Sequence, residues 1–111
     1  MSTSLPPGLD AKLHDLAKKL REVYGEAEVY LYGSFAKGTW LEDSDVDIVV
    51  ISPSFRDQPF SDRVNEVRKL ASPDIALEIL AYTPDELERV KRRSIVIQDA
   101  AEYWRKIEVR L

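Results

Sequence analysis

The sequence predicts a small mixed α/β domain of the α+β kind: a sheet of about four strands with helices packed on it. Three observations carry that expectation. Apolar residues at spacings of three and four mark helices around 9–24 and 60–70, and a capping signature opens a third over 84–103. Between them lie short runs rich in Val, Ile, Leu and Tyr, at 29–32, 45–52, 74–82 and 106–111, that read as strands. The chain has 111 residues, 44% of them hydrophobic and 32% charged, which suits one layered unit around a single core.

Residues 1–8 carry Ser, Thr, Pro and Gly with little to bury and are expected to form a flexible arm, leaving 9–111 as the domain. Leu9, Leu13, Leu16, Leu20 and Tyr24 form one helical stripe, with Asp10 in the first turn and Gly25 at the C-terminal cap. Val29 and Leu31, interleaved with Tyr30 and Tyr32, make a strand that ends at Gly33. A helical turn follows over Ser34 to Lys37 and stops at Gly38. From Asp45 to Ser52 the chain is strand again. Val46, Ile48 and Val50 share one face, and Asp45, Asp47, Val49 and Ile51 share the other.

After a loop over 53–60, Phe60, Val64, Val67 and Leu70 mark the second main helix. "DIALEILAY", 74–82, reads as the third strand. "TPDE" then starts a helix, with Thr83 as N-cap, Pro84 at the first position and Glu86 completing a capping box. That helix runs to about Tyr103 with a break near Ser94, and Ile107, Val109 and Leu111 alternate in a terminal strand.

Composition excludes several functions. Without cysteine there are neither disulfides nor thiolate metal sites, and the single His14 removes histidine-cluster zinc chemistry and a Ser-His-Asp triad. Any metal must be bound by oxygen. Sixteen Lys and Arg against twenty Asp and Glu give a net charge of −4, which argues against broad nucleic-acid binding. No apolar stretch suits a membrane span and no signal peptide is visible, so a cytoplasmic protein is expected.

The chemistry concentrates in "LYGSFAKGTWLEDSDVDIVV", 31–50. Gly33 lets backbone approach a ligand closely. Ser34 offers a hydroxyl and an amide at the start of a helical turn, where unpaired N–H groups attract phosphate. Asp45 and Asp47 on one strand face are costly to bury alone, but they can converge on hard cations. Two such ions ~4 Å apart suit an in-line displacement at phosphorus. Lys37 either neutralises triphosphate charge or is a solvated loop lysine. The run Arg89 to Arg93 either contacts a nucleotide or an acidic partner or is a charged helix face. Trp40 and Leu41 either stack on a base, meet a partner or simply pack, and His14 falls beside the first helix's stripe.

Gly33-Ser34, ten residues, then Asp45-x-Asp47 resembles the pattern of the polymerase-β-like nucleotidyltransferases, in particular their minimal branch. Gly38 and Ser44 also stand where that family tends to have them, and "YTPDEL" is similar to a recurrent segment. The resemblance implies the polymerase-β palm-like fold, nucleotide contacts from Gly33, Ser34, Lys37, Gly38 and Ser44, and transfer of a nucleoside monophosphate, AMP from ATP, with two Mg2+ ions. It also implies a third carboxylate on the neighbouring strand, where the family has Asp and this chain has Glu78. Glu78 then ligates the second metal, acts only as a base, or is impaired. Asp74 is the fallback, although four strand residues, ~13 Å, separate the two.

Larger members carry acceptor domains. Minimal members often pair with a small helical HEPN-type ribonuclease toxin and act as its antitoxin by attaching AMP to a tyrosine. The resemblance thus implies a hydroxyl of a partner protein as acceptor. The alternatives are a non-catalytic module that neutralises its partner by binding, or a small-molecule nucleotidyltransferase.

Overall fold

Leu9, Leu13, Leu16 and Leu20 lie on the buried side of the first helix, α1 (Leu9–Tyr24), and need a sheet to cover. The computed structural model, which describes residues 5, 6, 8–41 and 43–109, supplies it. The remaining elements are β1 (Glu28–Tyr32), α2 (Gly33–Lys37), β2 (Val46–Ile51), a 3-10 turn (Pro53–Phe55), α3 (Phe60–Leu70), β3 (Leu77–Tyr82), α4 (Pro84–Arg93), α5 (Ile95–Tyr103) and β4 (Arg105–Ile107). They form a four-stranded mixed sheet ordered β3-β2-β1-β4. β1 runs antiparallel to β2 and β4, and β2 runs parallel to β3.

Both sheet faces are covered, which explains why β2 is apolar along almost its whole length. On one face Val29, Leu31, Ile48, Val50, Ile79 and Ala81 pack in the main core with the leucines of α1 and with Phe55 and Val67. On the other, Val49 and Ile51 meet Leu87 of α4 and Ile97 of α5, with Tyr30, Tyr32, Leu80 and Tyr82 around them. The second cluster is smaller and leaves the end of this face near Asp47 half-open.

Several boundaries differ from expectation for local reasons. Strand β3 starts at Leu77 because Pro73 and Asp74 belong to a turn, in which the Asp74 carboxylate accepts from Ser72 and from Lys12. The capping box at Thr83 and Glu86 forms as expected, with Thr83 N–H on Glu86 at 2.8 Å and Glu86 N–H on Thr83 Oγ1 at 3.2 Å. Ser94 breaks the last helical segment in two. Its N–H closes α4 on Val90 O at 2.8 Å, and its hydroxyl caps α5 by accepting from Ile97 N–H at 3.2 Å.

In α3, Val67 is fully buried but Phe60 is 43% exposed. The second buried α3 residue is Arg63. β4 stops at Ile107, so Val109 lies beyond it, half-buried, and Leu111 falls outside the described residues. Of the expected arm, residues 1–4 and 7 likewise fall outside, while Leu5 packs on the main core. Among the described residues no helix is long and apolar enough to cross a membrane.

Candidate active site

The strand register brings the carboxylates together. Asp47 of β2 pairs with Tyr32 of antiparallel β1 on one side and with Glu78 of parallel β3 on the other. Tyr32, Asp47 and Glu78 thus form a row across three strands, spaced by the ~4.8 Å of neighbouring strands. Asp47 is half-buried and Glu78 exposed. Asp45 lies just before β2, exposed, two residues from Asp47.

Burial, then Glu78, then Asp45 raise the Asp47 pKa above its ordinary value. Tyr32 is pushed up to about 12, first by burial and then by Asp47, Glu78 and Tyr82, so its phenol stays protonated at neutral pH. No ion pair offsets these three carboxylates among the described residues.

Gly33 follows Tyr32 directly and opens α2 with φ +71°, a conformation that favours glycine. A Cβ placed there would lie 3.1 Å from Asp47 Cγ and closer still to its Oδ2. Glycine is therefore demanded twice, by its backbone angle and by the carboxylate lying against it. Ser34, half-exposed in the first turn of α2, keeps its hydroxyl clear of protein partners among the described residues.

The other expected nucleotide contacts have structural tasks. Gly38 closes α2 with φ +79°, its N–H on Ser34 O. Ser44 closes the preceding loop: its Oγ accepts from Leu41 N–H at 2.8 Å, and its own N–H donates to Leu41 O at 3.0 Å. The Lys37 ammonium reaches α5, 3.2 Å from Asp99 Oδ2 and 4.9 Å from the centre of the Tyr103 ring.

Trp40 packs by stacking on Phe35 at 5.4 Å, while Leu41 is exposed. His14 bridges α1 to the segment after β4, with Nε2 3.2 Å from Asp10 and Nδ1 on the Glu108 carbonyl. Asp74 is no substitute for Glu78. It is tied to Lys12 and Ser72, and the Lys12 hydrogen bond is the first cause of a pKa held at about 2.

By strand alternation Tyr82, four residues after Glu78, shares its face, and Tyr32 alternates with the buried Val29 and Leu31 onto the face of Asp47; sequence reasoning did not place Tyr32 there, and it missed the buried Arg63. No local signal marked Arg63.

The fold and this acidic row beside a glycine turn define an α/β domain built to gather carboxylates at one sheet end. Residues 13–103 match the family model for the nucleotidyltransferase domain, and the chain belongs to that family. The structure is similar to a candidate nucleotidyltransferase from Sulfolobus solfataricus, with 26% identity, TM-score 0.52, and 74% of this chain and 77% of that one covered. A second candidate nucleotidyltransferase shares the fold at 24% identity and TM-score 0.55, over 79% of this chain and 88% of that one. So does a toxin-antitoxin structure with AMP-PNP, at 19% identity and TM-score 0.57, over 92% and 74%. Among curated proteins no match is found.

Domains of this family generally use divalent metal ions. Among the described residues no three His, Cys, Asp or Glu side chains converge tightly enough to hold an ion as they stand. The donor set nevertheless fits one: adjacent carboxylates, all-oxygen, with no basic side chain paired to them and one pKa raised by burial and then by the other two.

Proposed function

We propose that this chain is a magnesium-dependent nucleotidyltransferase that moves AMP from ATP to a hydroxyl on a partner protein, as the antitoxin to a helical HEPN-type toxin. The observation that carries the reading is the Asp47–Glu78 register pair with Gly33 lying against Asp47. Asp45, Asp47 and Glu78 would hold Mg2+, two ions in all, which would supply charge neutralisation for the transferring phosphate.

The chain's residues do the rest. Gly33 opens the backbone to a phosphate, with the Ser34 hydroxyl and the first α2 amides as donors. Glu78, exposed at the edge of the row, takes the proton of the acceptor hydroxyl as its oxygen bonds to the α-phosphorus and the bond to pyrophosphate breaks. Protonated Tyr32 adds a neutral donor beside Asp47 without adding negative charge. The toxin-antitoxin neighbour with AMP-PNP supports both an ATP-like nucleotide and a protein partner. A cytoplasmic location accords with both.

The test is incubation with magnesium and α-labelled ATP beside a HEPN-type partner encoded next to this chain. Label and an AMP mass increment on the partner are expected, and both should vanish with Asp45→Asn. A binding-only antitoxin is the second reading, favoured by Glu78 in the place of the family's Asp. It would be upheld if the partner were bound and silenced with no mass shift.

A further inference from the structure

Away from the carboxylate row a cleft of about 490 Å³ lies between α3, the end of β3 and α4. Phe60, Arg63, Tyr82, Arg89, Val90 and Arg93 line it. We propose that this cleft docks an acidic segment of a partner protein, with one aromatic or branched aliphatic side chain seated between Phe60, Tyr82 and Val90.

The cleft wall is amphipathic. Phe60 and Tyr82 lie 5.9 Å apart, tilted, and Phe60 is 43% exposed, so the apolar part is open. Arg89 and Arg93 stand one helical turn apart on α4, both exposed, and neither pairs with an acid among the described residues. They are unpaired guanidinium groups on a chain of net charge −4, which selects carboxylates over phosphate polymers as the complement.

Arg63 makes the floor rigid. It is buried, and its guanidinium holds both oxygens of Glu86 at 2.6 and 3.1 Å and Ala81 O at 3.1 Å. The Glu86 carboxylate in the cleft is thereby already satisfied and does not repel an acidic ligand as a free one would.

Two further observations favour a protein segment over a small molecule. Ile95 and Val96 directly follow Ser94, which lines the cleft, and are 82% and 66% exposed, an apolar extension beyond what a small ligand covers. Tyr82 also shares the β3 face with Glu78, four residues or ~13 Å along the strand. A segment anchored here can therefore present a neighbouring hydroxyl to the carboxylate row. This last step rests on the transfer reading above, whereas docking itself does not.

The test titrates short labelled peptides, each with one Phe, Tyr or Leu flanked by Asp and Glu, into the protein without nucleotide or metal. Binding is read by fluorescence anisotropy and amide chemical shifts. Saturable binding is expected, with shifts at Tyr82, Arg89, Val90 and Arg93, and the charge reversal R89E/R93E should weaken it at least ~10-fold with ATP binding unchanged. No binding by any peptide, equal binding of Lys-flanked versions, or no effect of the reversal would overturn the proposal. A single-stranded oligonucleotide binding in the cleft and lost on reversal would replace it with nucleic-acid recognition. Absence of peptide docking in a wild-type protein that still transfers AMP would overturn this inference alone, and docking without any transfer would overturn only the catalytic reading.

Discussion

Gly33 and Asp47 occupy one another's space: the glycine's missing Cβ would stand 3.1 Å from the Asp47 carboxyl carbon. The φ of +71° at Gly33 adds a second demand, since a side chain there costs ~1–3 kcal/mol. Gly33→Val is therefore expected to lower the urea midpoint and displace Asp47, abolishing nucleotide binding by calorimetry. Ser34→Ala removes one hydroxyl that no described protein group uses, and it should weaken binding only modestly with the midpoint unchanged. The opposite ranking would show that the turn is not where phosphate sits.

Asp47 should make the fold less stable as pH rises. Its native pKa is raised by burial, Glu78 and Asp45, so between the ordinary value of 3.8 and that raised value the folded state binds more protons than the unfolded. Stability falls with pH across that window, and the penalty persists above it. Asp47→Asn removes it. The variant should unfold at higher urea than wild type at pH 7, with the gap closing as pH drops below the ordinary carboxylate range. In transfer assays Asp45→Asn with Asp47→Asn should lose at least ~100-fold in rate, because each ~1.4 kcal/mol of lost stabilisation is tenfold. Undiminished transfer would remove the metal role from this pair.

The Arg63–Glu86 pair acts in the opposite direction. Its guanidinium, hydrogen-bonded to Glu86, is the first cause of a carboxyl pKa lowered to about 2. A lowered carboxylate pKa gives stability that is present above the ordinary value of 4.5 and lost as pH falls toward the native value. Glu86→Ala leaves a buried Arg63 without its carboxylate partner and removes half of the Thr83 capping box, so a loss of ~3–5 kcal/mol at pH 7 is expected. Urea denaturation of both proteins from pH 7 to acid checks it: the gap should narrow below the ordinary glutamate range.

The legible parts of this chain were the short-range ones. Gly33-Ser34 and Asp45-x-Asp47 could be read because each is a turn or strand pattern complete within a few residues, and the Thr83–Glu86 cap because its partners are three apart. That Asp47 faces Glu78 depends on which strands pair and in what register. Strand alternation could suggest this, but only the β2–β3 ladder sets it. Arg63 was invisible for the same reason: an arginine between apolar helix positions reads as exposed until Glu86, twenty-three residues on, arrives to pair with it. The Lys37 reading was open between triphosphate and solvent, and in the structure its ammonium meets Asp99, sixty-two residues away.

Glu78 decides between enzyme and binder. It lies in register with Asp47 on the adjacent parallel strand, yet it is exposed and one methylene longer than the aspartate the family pattern has there. As the base for the acceptor hydroxyl it must reach a proton that a tyrosine, with an ordinary pKa near 10, does not release at neutral pH unaided. Glu78→Gln keeps the shape and loses the proton acceptor. If nucleotide binding rests on the α2 turn and the Asp pair as proposed, ATP affinity should hold within a few-fold, while transfer to a partner hydroxyl falls by ~100-fold or more. Glu78→Asp draws the carboxylate back toward Asp47 and should retain or raise the rate. Calorimetry gives the affinity and mass spectrometry of the partner gives the transfer. If wild type and Glu78→Gln bind the partner equally, silence it equally and leave its mass unchanged, then the carboxylate row serves recognition and the protein works by occupancy.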